Sequence, residues 1–313
     1  MHAIIPKALK PGDTIGICAP SGSFDRTVFD RGLDVIREMG FSVYIPHGIY
    51  LKKRYLAGGD INRAEIINRL FKDEAVNGIL CARGGFGAMR VLPFLDYEMI
   101  RNNPKIFVGF SDVTAILAAL EKRSSLQVFH GPVVTSLASA SKETLGSFFN
   151  ILTSSSLSLA SCFSGSPSFP GISFFQEGHI LLQNGMSICG GRATGILSGG
   201  NLATLSHLVG TPFQPDFHGN IFFFEDVGES PYKIDRMLTQ MKMAEVFNGI
   251  KGVIAGSFKD CGNNKMIFEI IGEIFEAFHI PVLAGIEAGH GNINFTLPLG
   301  FEITMDADAH TLY

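Results

Sequence analysis

A chain of 313 residues, 46% of them hydrophobic, can bury a large core, and its length favours two cores over one. A formal net charge of −4, with 25 lysines and arginines spread along the chain, lacks the electrostatic footprint of a protein that binds nucleic acid or an anionic membrane, which leaves a small neutral or mixed-charge substrate. The five cysteines (Cys18, Cys81, Cys162, Cys189, Cys261) are odd in number and form no C-x-x-C pair, so reduced, mostly buried thiols are expected rather than a disulfide framework or a thiolate zinc site.

The chain starts MHAIIPKALKPGD, where Pro6, Lys7, Lys10 and Asp13 interrupt any signal-peptide core. No stretch approaches the roughly 18 apolar residues a membrane helix needs, so the expected address is the cytoplasm. Residues 14–20 read as a strand. Phe29, Leu33 and Ile36 then fall at i, i+4 and i+7 of a helix over 26–39 that Gly40 stops before the strand FSVYIP. The pattern repeats as a helix over 61–71 with Asp60 as its N-cap, strands VNGILCAR and KIFVGF, a helix over 112–123 and the strand LQVFHGP. Alternation of this kind predicts an α/β fold, with residues 1–150 as an open, doubly wound parallel sheet flanked by helices.

Residues 151–183 shift to serine, glycine and proline, which predicts a linker, with a strand at the edge of the second domain possible at its end. From 184 to 313, apolar strands at NIFFFED, KGVIAGSF, IPVLAGI and GFEITMD alternate with two helices and predict a smaller, β-rich C-terminal domain. Ser230 caps the first helix, Pro231 suits its first turn, and Ile234, Met237, Leu238 and Met241 share a face. The second runs over 266–279.

Four segments can carry chemistry. In KIFVGFSDVTAIL an apolar strand meets a helix at Ser111, where free backbone N–H groups and the helix dipole can stabilise an oxyanion; the G-x-S-x-G elbow is not met, and from this segment alone a plain helix cap is the favoured reading of the serine. RGGFGAMR follows a strand with three glycines and can turn N–H groups toward an oxyanion or phosphate, but it has neither the Walker nor the dinucleotide spacing. NIFFFED ends in Glu225, at the strand terminus where open α/β sheets hold ligands; its carboxylate can orient a histidine or simply be a solvated loop acid. His290 sits between two glycines after the strand IPVLAGI and is placed to be a general base. His130, in VFHGPV, is read as a structural, hydrogen-bonding histidine, and no metal-ligand spacing appears.

The ordered segments CAPSG, ARGGFGAMR, GFSD, FHGP, SGGNL, FEDVGESPYKIDRML and GHGNINFTLPLG resemble the LD-carboxypeptidase family, which includes the microcin C self-immunity peptidases. The resemblance spans nearly the whole chain. It implies a flavodoxin-like N-terminal sheet and an active site in the cleft beside a β-rich C-terminal domain, in a homodimer. It also implies a serine peptidase without cofactor or metal, with Ser111 as nucleophile, His290 as general acid/base and Glu225 orienting the histidine. The oxyanion hole is then the backbone N–H of Asp112 with that of Gly84 or Gly85, and Arg83 and Arg236 are the candidates for holding the substrate's terminal carboxylate. The implied reaction is release of terminal D-alanine from cytosolic muropeptide tetrapeptides during cell-wall recycling. The alternatives are a microcin C-type peptidase cleaving aminoacyl-nucleotide amides, disfavoured by the absence of tryptophan, and a non-catalytic small-ligand binding module.

Overall fold

The computed structural model describes residues 3–154, 180–181 and 185–313, so most of the serine-rich stretch read as a linker lies outside the described residues. The first half runs β1 (Thr14–Cys18), α1 (Arg26–Glu38), β2 (Ser42–Tyr44), α2 (Asp60–Lys72), β3 (Gly78–Cys81), α3 (Tyr97–Asn102), β4 (Ile106–Gly109), α4 (Thr114–Ser124), β5 (Val128–His130), α5 (Val134–Leu137) and α6 (Lys142–Thr153). β1 to β5 are parallel in the order β5-β4-β3-β1-β2. Every residue of β3, β4 and β5 is buried, as a parallel sheet covered on both faces requires. Asp25 caps α1, accepting the N–H of Val28 at 3.0 Å, and Phe29, Leu33 and Ile36 are buried as their spacing predicts.

Two capping assignments are corrected. Gly59, not Asp60, holds the N-cap position of α2, because the Asp60 carboxylate is taken by Arg63 at 2.5 Å and Arg90 at 2.6 Å. Ser230 holds its cap position but makes no side-chain cap bond. The helix expected from residue 112 begins at Thr114, because Ser111–Val113 form a tighter 3₁₀ turn.

The second half runs β6 (Ile180–Leu181), β7 (Met186–Cys189), β8 (Arg192–Asn201), α7 (Leu202–Leu208), β9 (Asn220–Val227), α8 (Pro231–Met243), β10 (Gly252–Lys259), α9 (Asn264–Phe275), β11 (Val282–Ala284), β12 (Leu297–Leu299), β13 (Glu302–Asp306) and β14 (Thr311–Leu312). All but β12 form an eight-stranded sheet, β6-β14-β13-β8-β9-β10-β11-β7, whose β8 to β11 are parallel. β12 crosses to the first sheet and pairs antiparallel with β5. One core cluster therefore joins the halves: Phe223, Ile254 and Leu283 of the second sheet pack with the core of the first. Alternation along β9 sends Phe222 and Phe224 the other way, against α8 and α9. Glu225, two residues past Phe223, thus shares the face turned toward the first sheet.

Candidate active site

Ser111 follows the carboxyl end of β4. Phe110 is extended and Ser111 has φ of +62°, in the left-handed region that a residue with a β-carbon rarely occupies. This strained strand-to-helix turn lifts the side chain off the sheet at the start of α4. The glycine loop after β3 closes on the same point. A β-carbon on Gly84 would lie 2.8 Å from the Ser111 β-carbon, so only glycine lets the loop backbone come this close.

The loop is held from two sides. The Asp112 carboxylate accepts the N–H of Ala88 at 2.8 Å. Burial pushes the Asp112 carboxyl up, against the backbone N–H groups of Ala88 and Gly87 that hold it down. From below, the guanidinium of Arg63, 1% exposed, donates to the carbonyls of Pro20 and Gly87 and is itself clamped by Asp60. The bonds of Asp60 to Arg90 and Arg63 outweigh its desolvation and hold its carboxyl down at about 2. Arg63 was not singled out in the sequence, where it looks like an ordinary helix-surface charge, and Asp60 was read only as a helix cap.

Glu225 is completely buried at the carboxyl end of β9. Its Oε2 lies 2.6 Å from Nδ1 of His290 and accepts that residue's backbone N–H at 3.1 Å. Its Oε1 accepts from Asn201 Nδ2 at 3.3 Å, and the same amide donates to Asp226 at 3.0 Å. Burial opposes ionisation of Glu225, but the bond from His290 and the charge of that imidazole outweigh it and keep the carboxyl low. Burial likewise opposes the charge on His290, and Glu225 overcomes it, raising the imidazole above its ordinary value. Asp226 is pushed up to about 6 by burial and by the charge of Glu225.

The histidine loop is pinned at every turn. Gly289, at φ of +108°, donates to Asn294 Oδ1 at 2.8 Å, Gly291 donates to Ser257 Oγ at 2.9 Å, and Asn294 donates to Thr144 Oγ1 at 2.9 Å. The two halves of the site meet through Asn201, whose backbone N–H donates to Thr114 Oγ1 at 3.0 Å, on the first residue of α4. The chain Thr114, Asn201, Glu225, His290 thus couples the helix behind Ser111 to the acid and the imidazole. The ring of Phe110, next to Ser111, lies 4.7 Å from the ring of His290.

His130 departs from its sequence reading. It is fully buried against Phe110 and Phe223, with ring centroids 6.0 and 5.1 Å away, and neither ring nitrogen has a hydrogen-bond partner. Burial drives its pKa down to about 4, so the ring is neutral at neutral pH. The expected structural hydrogen bond is absent because the strand end places the ring in an aromatic box. Arg83, beside Gly84, spends Nη1 on the carbonyl of Ser23 at 2.7 Å. Arg236 stacks over Tyr232 on α8, and no hydrogen bond or ring contact joins it to Ser111, Glu225 or His290. Among the described residues, no group of three or more His, Cys, Asp or Glu side chains is placed to hold a metal ion, and no helix is long and apolar enough to cross a membrane.

Comparison with known proteins adds an independent line. The LD-carboxypeptidase N-terminal domain matches residues 15–131 and the LD-carboxypeptidase C-terminal domain matches residues 194–305. A probable murein peptide carboxypeptidase of Bacillus subtilis is 32% identical, covering 98% of this chain and 92% of its own. The microcin C7 self-immunity protein MccF of Escherichia coli is 30% identical, covering 98% and 94%. The crystal structure of an MccF-like protein from Bacillus anthracis superposes with a TM-score of 0.86 at 27% identity, covering 99% of this chain and 98% of the other.

Proposed function

We propose, from the fact that this chain belongs to the LD-carboxypeptidase family, that it is a serine peptidase releasing terminal D-alanine from muropeptide tetrapeptides. The observation that carries this reading is the buried Glu225 holding Nδ1 of His290 at 2.6 Å, with the ring of Phe110, the residue before Ser111 on its strained strand-to-helix turn, 4.7 Å from the imidazole. With Nδ1–H given to Glu225, the other ring nitrogen, Nε2, is left as an acceptor for the Ser111 hydroxyl proton.

In this reading Ser111 attacks the carbonyl of the L-configured residue while His290 takes its proton. The N–H groups of Asp112 and of Gly84 or Gly85 receive the developing oxyanion. His290, now an imidazolium stabilised by Glu225, protonates the departing amine of D-alanine, leaving an acyl-enzyme. A water deprotonated by His290 then releases the shortened peptide. Arg83, one residue from Gly84, suits the substrate's terminal carboxylate, and Arg236 is the second candidate. The family resemblance also carries a homodimer and a cytoplasmic role in cell-wall recycling.

The relationship to MccF supports a second reading, hydrolysis of an aminoacyl-nucleotide amide by the same three side chains. Mass-spectrometric detection of D-alanine release from a purified muropeptide tetrapeptide tests the first reading. Release by the wild type and its loss in Ser111→Ala and His290→Ala are expected. No release by the wild type would exclude it, and aminoacyl-nucleotide amides would be assayed next.

A further inference from the structure

The helix that begins three residues after Ser111 ends at a second cavity. Glu121 lies on the last turns of α4, seven residues and about 10 Å along the axis from Thr114. It faces a cavity of about 560 Å³ at the junction of the two sheets, lined also by Ala118, Ile196, Ser198, Gln127 and Asp216. That volume is in the range of small-ligand sites.

Two acceptors here, Glu121 and Gln127, lack a strong donor, although Lys122 also lines the cavity. The hydrogen bond to the Glu121 carboxylate comes from the Ser198 hydroxyl at 3.5 Å, the outer limit of such a bond. The neighbouring cations are engaged elsewhere: Lys122 donates to the carbonyl of Gln214 at 2.6 Å and Arg123 to that of Pro212 at 3.2 Å. Gln127, only 5% exposed, gives its Nε2 to the carbonyl of Gly300, and its Oε1 has no hydrogen-bond partner. Buried acceptors of this kind are costly unless paired. The carboxyl-terminal end of α4 adds its negative dipole end at the same place. Burial without a cation pushes the Glu121 carboxyl up to about 8, so it keeps its proton near neutral pH, and a bound cation would draw that proton off.

A carboxylate, an orphaned amide oxygen, a hydroxyl and a helix carboxyl end call for a positively charged group with several N–H donors, while Ala118, Ile196 and Pro215 call for an aliphatic body. We propose that this cavity is a second, non-catalytic binding site for a small aliphatic ligand bearing a primary ammonium group, held by Glu121 and Gln127. The site is separate from Ser111, Glu225 and His290, so its test does not depend on the peptidase reading.

The test is isothermal titration of the full chain with n-butylammonium chloride, with sodium butyrate as the control of opposite charge. Saturable binding of butylammonium and none of butyrate is expected. Glu121→Gln should weaken butylammonium binding by about tenfold or more, the value of a hydrogen bond to a charged group, and Gln127→Leu by severalfold. Thermal melting of both variants establishes that they are folded, and Gln127→Leu carries the test if Glu121→Gln is not. Absence of saturable butylammonium binding, equal binding of butyrate, or affinity unchanged in folded variants overturns the proposal.

Discussion

One oxygen, Oε2 of Glu225, receives both the ring Nδ1 of His290 at 2.6 Å and the backbone N–H of the same residue at 3.1 Å. The double contact fixes the ring's rotation and its tautomer together, which a single bond to the ring leaves open. Replacing Glu225 by glutamine keeps the shape but lets the amide present N–H to Nδ1 and stabilise the wrong tautomer. A fall in kcat of about 10⁴-fold is expected, the scale seen when the acid of such a triad becomes an amide. D-alanine release at saturating tetrapeptide checks it, and a loss under tenfold would remove Glu225 from the mechanism.

The same contact sets the pH profile. Burial alone would lower the imidazole pKa, but Glu225 raises it above the ordinary 6.5, so His290 stays protonated to higher pH than a free imidazole. A general base must be neutral, so kcat/KM should rise with pH through a midpoint above 6.5. The contribution of His290 to stability has the opposite sense: a raised folded-state pKa stabilises the protein below the unfolded value and is lost as pH climbs through the folded one. In Glu225→Gln the charge that opposes burial is gone, and the residual activity should titrate at or below 6.5. A pH–rate profile of wild type and variant decides this.

Gly289 is where the loop backbone passes the carboxylate. Its φ is +108°, and a β-carbon there would lie 2.7 Å from Cδ of Glu225. Gly289→Ala must therefore move either the acid or the loop. We expect destabilisation of about 1–3 kcal/mol from the backbone conformation and a drop in kcat of about 10²-fold, the cost of a displacement near 1 Å. Urea unfolding and D-alanine release measured on the same preparation separate the two effects.

How much of this was legible in the sequence depends on whether its cause is local. The apolar runs of β3, β4, β9 and β10 and the spacing of Phe29, Leu33 and Ile36 announce their elements, because burial on both faces or on one stripe leaves a mark within a dozen residues. The motifs at Ser111, Glu225 and His290 were visible by resemblance. Asn201 was not assigned a role, since its contact with Glu225 comes from the register in which Asn201 of β8 stands opposite Glu225 of β9. β12 is three residues around Pro298, and only its pairing with β5 makes it a strand. Arg63 reads as a surface charge, and only the fold shows it buried beneath the glycine loop.

His130 gives a stability prediction of unusual sign. Its two ring nitrogens are buried without partners, so His130→Leu, of similar volume, removes an unsatisfied polar group and breaks no hydrogen bond. The variant should be as stable as the wild type or more so, by up to about 3 kcal/mol at neutral pH. The depressed pKa adds a pH signature. A folded-state value of about 4 against 6.5 unfolded means the unfolded chain binds a proton first as pH falls. Stability is lost across that window, by about 3 kcal/mol from this group. Urea midpoints at pH 7 and pH 4.5 should show a shallower acid loss in His130→Leu. A variant less stable than wild type at both would mean that the imidazole has a partner, such as an internal water.

Asp112 links the turn that carries Ser111 to the glycine loop of the proposed oxyanion donors. Its backbone N–H and that of the Gly84–Gly85 turn are the proposed donors, and its side chain holds the far end of the same glycine loop through Ala88. Asp112→Ala keeps the backbone donor at 112 but frees the loop, leaving Arg63 as the remaining clamp on Gly87. Because the oxyanion exists only after attack, loosening one of its donors should lower kcat by about 10²-fold while KM changes little. Asp112→Asn retains an oxygen able to accept from Ala88 and should recover much of the loss. If Asp112→Ala instead raises KM at constant kcat, the loop positions substrate rather than the oxyanion, and the second donor must lie elsewhere than Gly84 or Gly85.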